Sequence, residues 1–134
     1  MAAIRELDQM LAQLRPRRQP GQYVFTTVPG APPPGIRPVM TFAEDEGLTL
    51  ILRQDEADAA GLPYELVTAW ITLTVHSALD GVGLTAAVSA VLADAGISCN
   101  VVAATRHDHL FVPAAAAGEA LRLLAELSAR AAGR

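Results

Sequence analysis

The most constraining feature of the sequence is the segment 68–76, TAWITLTVH, in which aliphatic residues alternate strictly with Thr, Trp and His. Successive side chains of a β-strand point to opposite faces of a sheet. One predicted face holds Ala69, Ile71, Leu73 and Val75. Burial of one face only is typical of an antiparallel sheet covered on that side by helices. The segment therefore predicts a strand with helices on its aliphatic face, and Trp70 and the threonines on the other.

The rest of the C-terminal half contains segments with the apolar spacing of helices and segments with the composition of strands. Helical spacing of apolar residues predicts a helix from Leu84, ended by Gly96. Strands are predicted at 97–104 and 107–112, joined by a short turn at Thr105 and Arg106. Pro113 ends the last strand, and the alanine-rich segment after it predicts a final helix. The predicted order of elements in this half is β-α-β-β-α.

The N-terminal half predicts a related order, α-β-β-β-α. Its first helix is indicated by an apolar stripe of Ile4, Leu7, Leu11 and Leu14, and Pro16 must end it. Arg15, Arg17 and Arg18 are then expected near its C-terminus, where the helix dipole favours positive charge. Strands are predicted at 23–28, 39–44 and 47–53, and a short helix near 55–61. We expect a layered α+β fold of two units, residues 1–64 and 65–134.

Composition narrows the classes of function. The net charge is -4 among 134 residues, the wrong sign for a protein that neutralises phosphates, so no nucleic-acid partner is expected. All ten basic residues are arginine, which excludes a Schiff-base lysine. Apolar runs are too short and interrupted for a membrane helix or a secretory signal, so a cytoplasmic protein without a membrane contact is expected.

The loop from His76 to Thr85, HSALDGVGLT, is the strongest candidate for a site. Gly81 and Gly83 stand at the start of the predicted helix, where free backbone amides favour a carboxylate or phosphate. Asp80 beside them suits a ligand ammonium, although it suits helix capping equally well. The two glycines are too few for a dinucleotide fingerprint. The loop thus predicts an anion site whose neighbouring carboxylate would fit a free amino acid.

Two enzymatic readings can also be drawn from the residues. His107 and His109 share a strand face and, with His76 and Asp108, form the one conceivable metal cluster, although a convincing fourth ligand is missing. Cys99 near Asn100 and a histidine could mimic a thiol enzyme, but a thiol in a strand after a helix is more often buried and inert. A triad through Ser77 is rejected because no G-x-S-x-G elbow is present. No metal or cofactor is expected.

Four sequence motifs resemble those of a known family. They are Val75-His76-Ser77, the loop from Leu79 to Ala86, the strand from Gly96 to Ala103, and the segment His107 to Pro113. An earlier Glu46-Gly47-Leu48-Thr49 resembles the first unit of the same group. These motifs are similar to those of ACT domains, in particular of tandem ACT-like bacterial proteins related to the domains of cytosolic arginine sensors in animals.

The resemblance implies βαββαβ, ferredoxin-like units that bind an amino-acid effector against the loop after their first strand and at the interface of paired modules. No fourth strand follows the last helix here, so the two units are expected to interlock, one completing the sheet of the other. By position and proximity, the resemblance assigns ligand binding to His76, Ser77, Leu79, Asp80, Gly81, Val82, Gly83, Leu84, Thr85, Asn100, His107 and His109.

Three hypotheses follow for the function. The first is a non-enzymatic sensor or regulator that binds a small molecule, an amino acid, and that pairs with itself as a homodimer or with a regulated enzyme. The second is a ligandless interaction module, whose Trp70 and threonine face packs against a partner. The third, least favoured, is a metal-dependent or thiol enzyme using the His-Asp-His strand or Cys99.

Overall fold

The structure, a computed structural model, describes residue 3 and residues 6–133. Four helices and seven strands follow one another within these residues. The helices are α1 (Leu7–Ala12), α2 (Gln54–Ala59), α3 (Leu84–Asp94) and α4 (Ala117–Ala132), the last preceded by a 3₁₀ turn (Ala114–Ala116). The strands are β1 (Pro16–Arg18), β2 (Tyr23–Val28), β3 (Met40–Glu44), β4 (Gly47–Arg53), β5 (Thr68–Leu73), β6 (Asn100–Ala103) and β7 (Asp108–Pro113).

All seven strands form one antiparallel sheet in the order β3-β4-β2-β5-β7-β6, with β1 also paired to β5. β2 pairs with β4 along its whole length but meets β5 only where Tyr23 faces Thr68. The remainder of that edge of β5 pairs with β1, in the register Arg18 with Ile71. The predicted α+β, ferredoxin-like fold with a mostly antiparallel sheet is therefore confirmed.

The two units interlock as predicted, and β1 is the strand that joins them. β6, β7 and β5 form three strands of the C-terminal unit, and β1, from the other end of the chain, supplies the fourth. The first residue of β5 in turn extends the sheet of the N-terminal unit through Thr68. The N–H of Gln19 donates to the Trp70 carbonyl at 2.8 Å. Because ladder bonds alternate along an antiparallel strand, the Arg17 amide faces β5 and the Arg18 amide faces away.

The strand β1 corrects the prediction that the arginines after Pro16 lie at a helix end. α1 stops at Ala12, and Arg15 takes a left-handed backbone conformation with φ 43° that redirects the chain. Arg17 and Arg18 then run extended along β5. The local sequence does not favour a strand here. Arg17 and Arg18 become extended because the edge of β5 offers their backbone hydrogen-bond partners from another part of the chain. Ile4, the first residue of the predicted helical stripe, lies outside the described residues.

Several other boundaries differ from the prediction. β2 and β4 have the predicted bounds, whereas β5 ends at Leu73 rather than at His76. β6 begins at Asn100 rather than at residue 97, because the Ile97 amide bonds to the Leu92 carbonyl in a turn that closes α3. The residues between Leu73 and α3 are thereby released from the sheet to form the loop described below.

The main core lies between the sheet and the helices of the C-terminal unit, and α1 is part of that helical layer. Leu14, Ile71, Leu92, Leu110 and Leu124 are fully buried there. A smaller core under α2 buries Val24, Leu50, Leu52 and Ala57. Within the described residues, no helix is both long enough and apolar enough to cross a lipid bilayer.

The other face of the sheet carries an aromatic cluster between the two units. Tyr23 meets Trp70 edge to face at 5.3 Å between ring centroids, and Phe25 meets Phe111 in the same way at 5.6 Å. Tyr23, Phe111 and Ile51 are buried in this cluster. Trp70 is half-buried and packs against this cluster within its own chain, which leaves only part of its surface for an external partner.

Candidate functional site

The loop between β5 and α3 lies against α1, which explains its glycines. Gly83 is the N-cap of α3 and has φ 99°, a left-handed conformation that side chains rarely adopt. A Cβ on Gly83 would lie 3.1 Å from Leu7 Cδ2, and one on Gly81 would lie 3.3 Å from the Met10 thioether. The glycines therefore allow close packing of the loop on a helix, in addition to any approach of a ligand. Asp80 is exposed and is not the N-cap residue.

A cavity of about 310 Å³ lies beneath this loop. Its walls come from the loop, the start of α3, α1, and the hairpin of β6 and β7. The lining residues are Met10, Ser77, Ala78, Leu79, Gly81, Val82, Gly83, Leu84, Thr85, Ala103, Ala104 and Asp108. The loop and the helix start thus form one concave site with residues from both ends of the chain.

The start of α3 gives the cavity a positive end. The first hydrogen bond into the helix runs from the Ala87 amide to the Gly83 carbonyl at 2.9 Å. The amides of Leu84, Thr85 and Ala86 precede that bond and have no carbonyl partner within the helix. The N-cap glycine offers them no side chain, and the helix dipole adds partial positive charge. This end of the cavity is suited to an anionic group.

Asp108 gives the same cavity a carboxylate. The residue lies opposite Leu73 in the sheet, and its side chain is half-buried on the helical side. Burial raises the pKa of Asp108, although a hydrogen bond from Ser77 and the nearby His109 and His107 act in the opposite direction. Ser77 Oγ lies 3.5 Å from Asp108 Oδ2. A desolvated carboxylate with one long hydrogen bond is well suited to receive a cationic group.

Strand alternation divides the His-Asp-His motif between the two faces of the sheet. Asp108 faces the cavity, whereas His107 and His109 face the opposite side, with their ring centroids 6.5 Å apart. His109 Nδ1 accepts a hydrogen bond from Trp70 Nε1 at 3.0 Å and lies 3.1 Å from Thr72 Oγ1. Burial, and then His107, lower the pKa of His109. In residue 3 and residues 6–133, no three His, Cys, Asp or Glu side chains come together as metal ligands.

The remaining predicted residues are dispersed. Asn100 is exposed on β6, beside a separate groove of about 550 Å³ that Phe25 to Thr27 and Pro63 to Leu66 line. His76 is half-buried and does not line the cavity. Cys99 is half-buried against the main core, where burial raises its pKa to about 11. Such a thiol is the opposite of the low-pKa nucleophile that the thiol-enzyme hypothesis requires.

The structure thus brings together one part of the predicted set. It gathers Ser77, Leu79, Gly81, Val82, Gly83, Leu84 and Thr85 around one cavity. It separates His76, Asp80, Asn100, His107 and His109 from that cavity. Met10 and Asp108 were not among the predicted ligand residues. Asp108 lies two residues before Leu110 and four before Val112, and this spacing places it on their apolar face of the strand. The spacing was a usable signal for Asp108, whereas no sequence signal placed Met10 here.

Comparisons with known proteins agree with this architecture. Two models of the ACT domain family match the chain, over residues 2–69 and 65–126. A Vibrio cholerae protein of unknown function, described as a possible transport protein, is 45% identical, with a TM-score of 0.83 over 91% of this chain and 95% of that one. No curated protein matches.

Two more distant structures share the fold. An Agrobacterium tumefaciens protein is 23% identical, with a TM-score of 0.64 over 81% of this chain and 84% of that one. The ligand-free regulatory subunit of aspartate kinase from Thermus thermophilus is 13% identical, with a TM-score of 0.63 over 84% of this chain and 95% of that one. With two matching models, the chain belongs to the ACT domain family, whose members are typically regulatory and bind amino acids.

Proposed function

We propose that this protein is a non-enzymatic sensor that binds a free amino acid in the cavity beneath the β5–α3 loop. The observation that carries the proposal is the opposition of two charges in one cavity, the amides at the start of α3 and the carboxylate of Asp108. The ligand's carboxylate accepts hydrogen bonds from the Leu84 and Thr85 amides, and its ammonium lies against Asp108. The predicted residues Ser77, Leu79, Gly81 and Val82 would form the surrounding wall.

The exposure of the loop supports a paired assembly. Leu79 and Val82 are 68% and 81% exposed although both residues border the cavity. A homodimer, or a complex with a regulated enzyme, would cover these side chains and close the site. The ligand would then favour the assembled arrangement by as much as it binds that arrangement better. A cytoplasmic location fits the single unpaired thiol, Cys99.

The two units are proposed to share this task unequally. We place them at residues 1–64 and 65–134, close to the two family matches. The cavity belongs mainly to the second unit, but Met10 from the first completes its wall. Between β2 and β3, where a βαββαβ unit has a helix, the first unit has a proline-rich loop, residues 29–38. It therefore lacks an equivalent helix start with free amides.

Thermal unfolding in the presence of each free amino acid tests the proposal. A ligand that binds only the folded state stabilises it by mass action and so raises Tm. At a ligand concentration of 100 times Kd, the free energy of unfolding increases by about 2.7 kcal/mol. Each amino acid that raises Tm is then compared with its N-acetyl derivative, which lacks the ammonium, and with its amide, which lacks the carboxylate. We expect both derivatives to lose the effect, because each removes one of the two opposed charges.

The ligandless interaction module is the second candidate function, and the exposed Leu79 and Val82 favour it. The same experiment separates the two. A screen without any Tm rise would refute the sensor and favour the module. Retention of the effect by the N-acetyl derivative would refute the role of Asp108, and retention by the amide would refute the role of the helix start.

A further inference from the structure

A second cavity, of about 240 Å³, lies on the opposite side of the sheet, between the two units. Val39 and Met40 from the N-terminal unit form one wall. Trp70, Val102, Ala104, His109 and Phe111 from the C-terminal unit form the other. An apolar cavity of roughly 150 Å³ is sufficient to hold benzene. This cavity is therefore large enough for a molecule of one or two fused rings.

The walls of this interunit cavity are flat and apolar. The rings of Trp70 and Phe111 lie nearly parallel, with an interplanar angle of 23° and centroids 6.0 Å apart. Phe111 is fully buried, and Met40 and Trp70 are partly buried against it. Val39 is 38% exposed, and Ala104 is exposed, so these two residues mark the mouth. Flat aromatic surfaces favour a planar ligand that stacks on them or meets their edges.

His109 supplies one directed polar group. Its Nδ1 accepts the Trp70 Nε1–H bond, and this fixes the neutral ring with its proton on Nε2. Burial lowers the pKa of His109, which favours the neutral ring in the same way as the bond from Trp70 does. Among the side chains that line this cavity, His109 therefore carries a donor, Nε2–H, that the bond with Trp70 does not use. A single donor among aromatic walls selects a ligand that carries one acceptor and no charge.

We propose that the interunit cavity is a second ligand site, which takes a small, uncharged planar ring compound with one hydrogen-bond acceptor. The ring lies between Met40 and Trp70, the partly buried members of the wall, and the acceptor meets His109 Nε2–H. The site differs from the proposed amino-acid cavity in its walls: Ala104 borders both cavities, whereas Trp70, His109 and Phe111 line only this one. It depends on neither Asp108 nor the start of α3, and its test does not depend on the proposed function.

Quinoline and naphthalene provide a matched pair of probes, since they share shape and size and only quinoline carries a ring acceptor. Trp70 is the only tryptophan in the chain, so its indole N–H gives a unique NMR signal at the cavity wall. We expect a saturable shift of this signal with quinoline at neutral pH. Naphthalene at the same concentration should bind about fivefold more weakly, the effect of one neutral hydrogen bond.

Variants locate the binding. Ala104→Phe and Val39→Phe fill the mouth from opposite units, and either change should abolish the quinoline shift. Both positions are partly or fully exposed, and the dispersion of the amide spectrum verifies that each variant folds. Ala93→Phe, the same change at an exposed position of α3, is the control and should bind quinoline unchanged. His109→Phe should give quinoline and naphthalene the same affinity.

The outcomes decide the proposal. Saturable binding that prefers quinoline and disappears in both mouth variants supports it. Absence of a saturable Trp70 shift, or a shift that survives Ala104→Phe and Val39→Phe in folded protein, overturns the site. Equal affinity for quinoline and naphthalene in the wild type overturns the role assigned to His109.

Discussion

Replacement of Asp108 by asparagine is the most direct perturbation of the proposed amino-acid site. Asparagine has nearly the same shape and keeps an oxygen to accept the bond from Ser77, so the cavity wall is preserved. The change removes only the negative charge that faces the cavity. Amino-acid binding should therefore weaken while the fold remains intact.

The expected loss follows from the contact that disappears. A hydrogen bond to a charged group contributes about 1.5–3 kcal/mol. A loss of about 2 kcal/mol raises Kd about 30-fold. At a ligand concentration of about 100 times the original Kd, the stabilisation falls from about 2.7 to about 0.9 kcal/mol. For 134 residues, an unfolding entropy of about 2.1 cal/mol/K per residue converts these values to Tm rises of about 10 °C and about 3 °C.

The unliganded proteins provide an internal check through their pH dependence. Burial raises the pKa of Asp108, so the folded state holds this proton more tightly than the unfolded chain does. This contribution to stability is fully present below the unfolded pKa and is lost as pH rises through the folded pKa. Asparagine does not titrate. The free energy of unfolding of Asp108→Asn relative to wild type should therefore increase from about pH 3 to about pH 7.

The assay is thermal unfolding of wild type and Asp108→Asn with the amino acid that the screen identifies, and isothermal titration gives the Kd directly. His107→Asn is the matched control, because it changes the residue immediately before β7, whose ring lies with that of His109 on the opposite face. We expect this control to keep the full Tm rise. An undiminished rise in Asp108→Asn, or an equal loss in His107→Asn, would refute the assignment of the cavity.

Three further predictions concern the loop, the interlocking strand and the thiol. Gly83→Ala should lower the free energy of unfolding by about 1–3 kcal/mol in urea denaturation, because it combines a left-handed backbone with a close contact to Leu7. Arg17→Pro should be the more destabilising of two proline variants, since it removes a ladder bond to β5, whereas Arg18→Pro removes an outward amide; equal urea midpoints would contradict the described register. Cys99 should react with iodoacetamide about a hundredfold more slowly than an unperturbed thiol, because its pKa rises from 9.0 to about 11; a normal rate would show that the thiol is not desolvated.

The elements that the sequence predicted well are those whose periodicity is local and whose burial is one-sided. In β5, Ala69 and Ile71 alternate with Trp70 and Thr72, and this alternation identified both the strand and its helical face. β1 was missed for the opposite reason. Pro16, Arg17 and Arg18 have no apolar pattern, and they form a strand only because β5 offers an unpaired edge to them. The interlocking of the units was still predictable, since the second unit had no fourth strand of its own.

The candidate site shows the same division between local and tertiary information. Gly81 and Gly83 identified the loop, because glycines before a helical pattern are a local signal. Their contact with α1 depends on how the chain returns upon itself and has no local signature. The His-Asp-His motif invited a grouping of three neighbours, but a period of two sends its middle residue to one face and its outer residues to the other. Asp108, not the histidines, consequently faces the loop.

The interlocked topology also gives the proposed ligand a physical route to influence the whole chain. Met10 lies in the wall of the proposed amino-acid cavity, and only a few residues separate it from β1, which completes the sheet of the other unit. A ligand that contacts Met10 binds only while this N-terminal segment is docked. By mass action, such a ligand must increase the docked population by its differential affinity for that state. Residues 7–18 are thus the part of the fold through which occupancy of the cavity can be communicated, because they join the ligand site to the junction between the units.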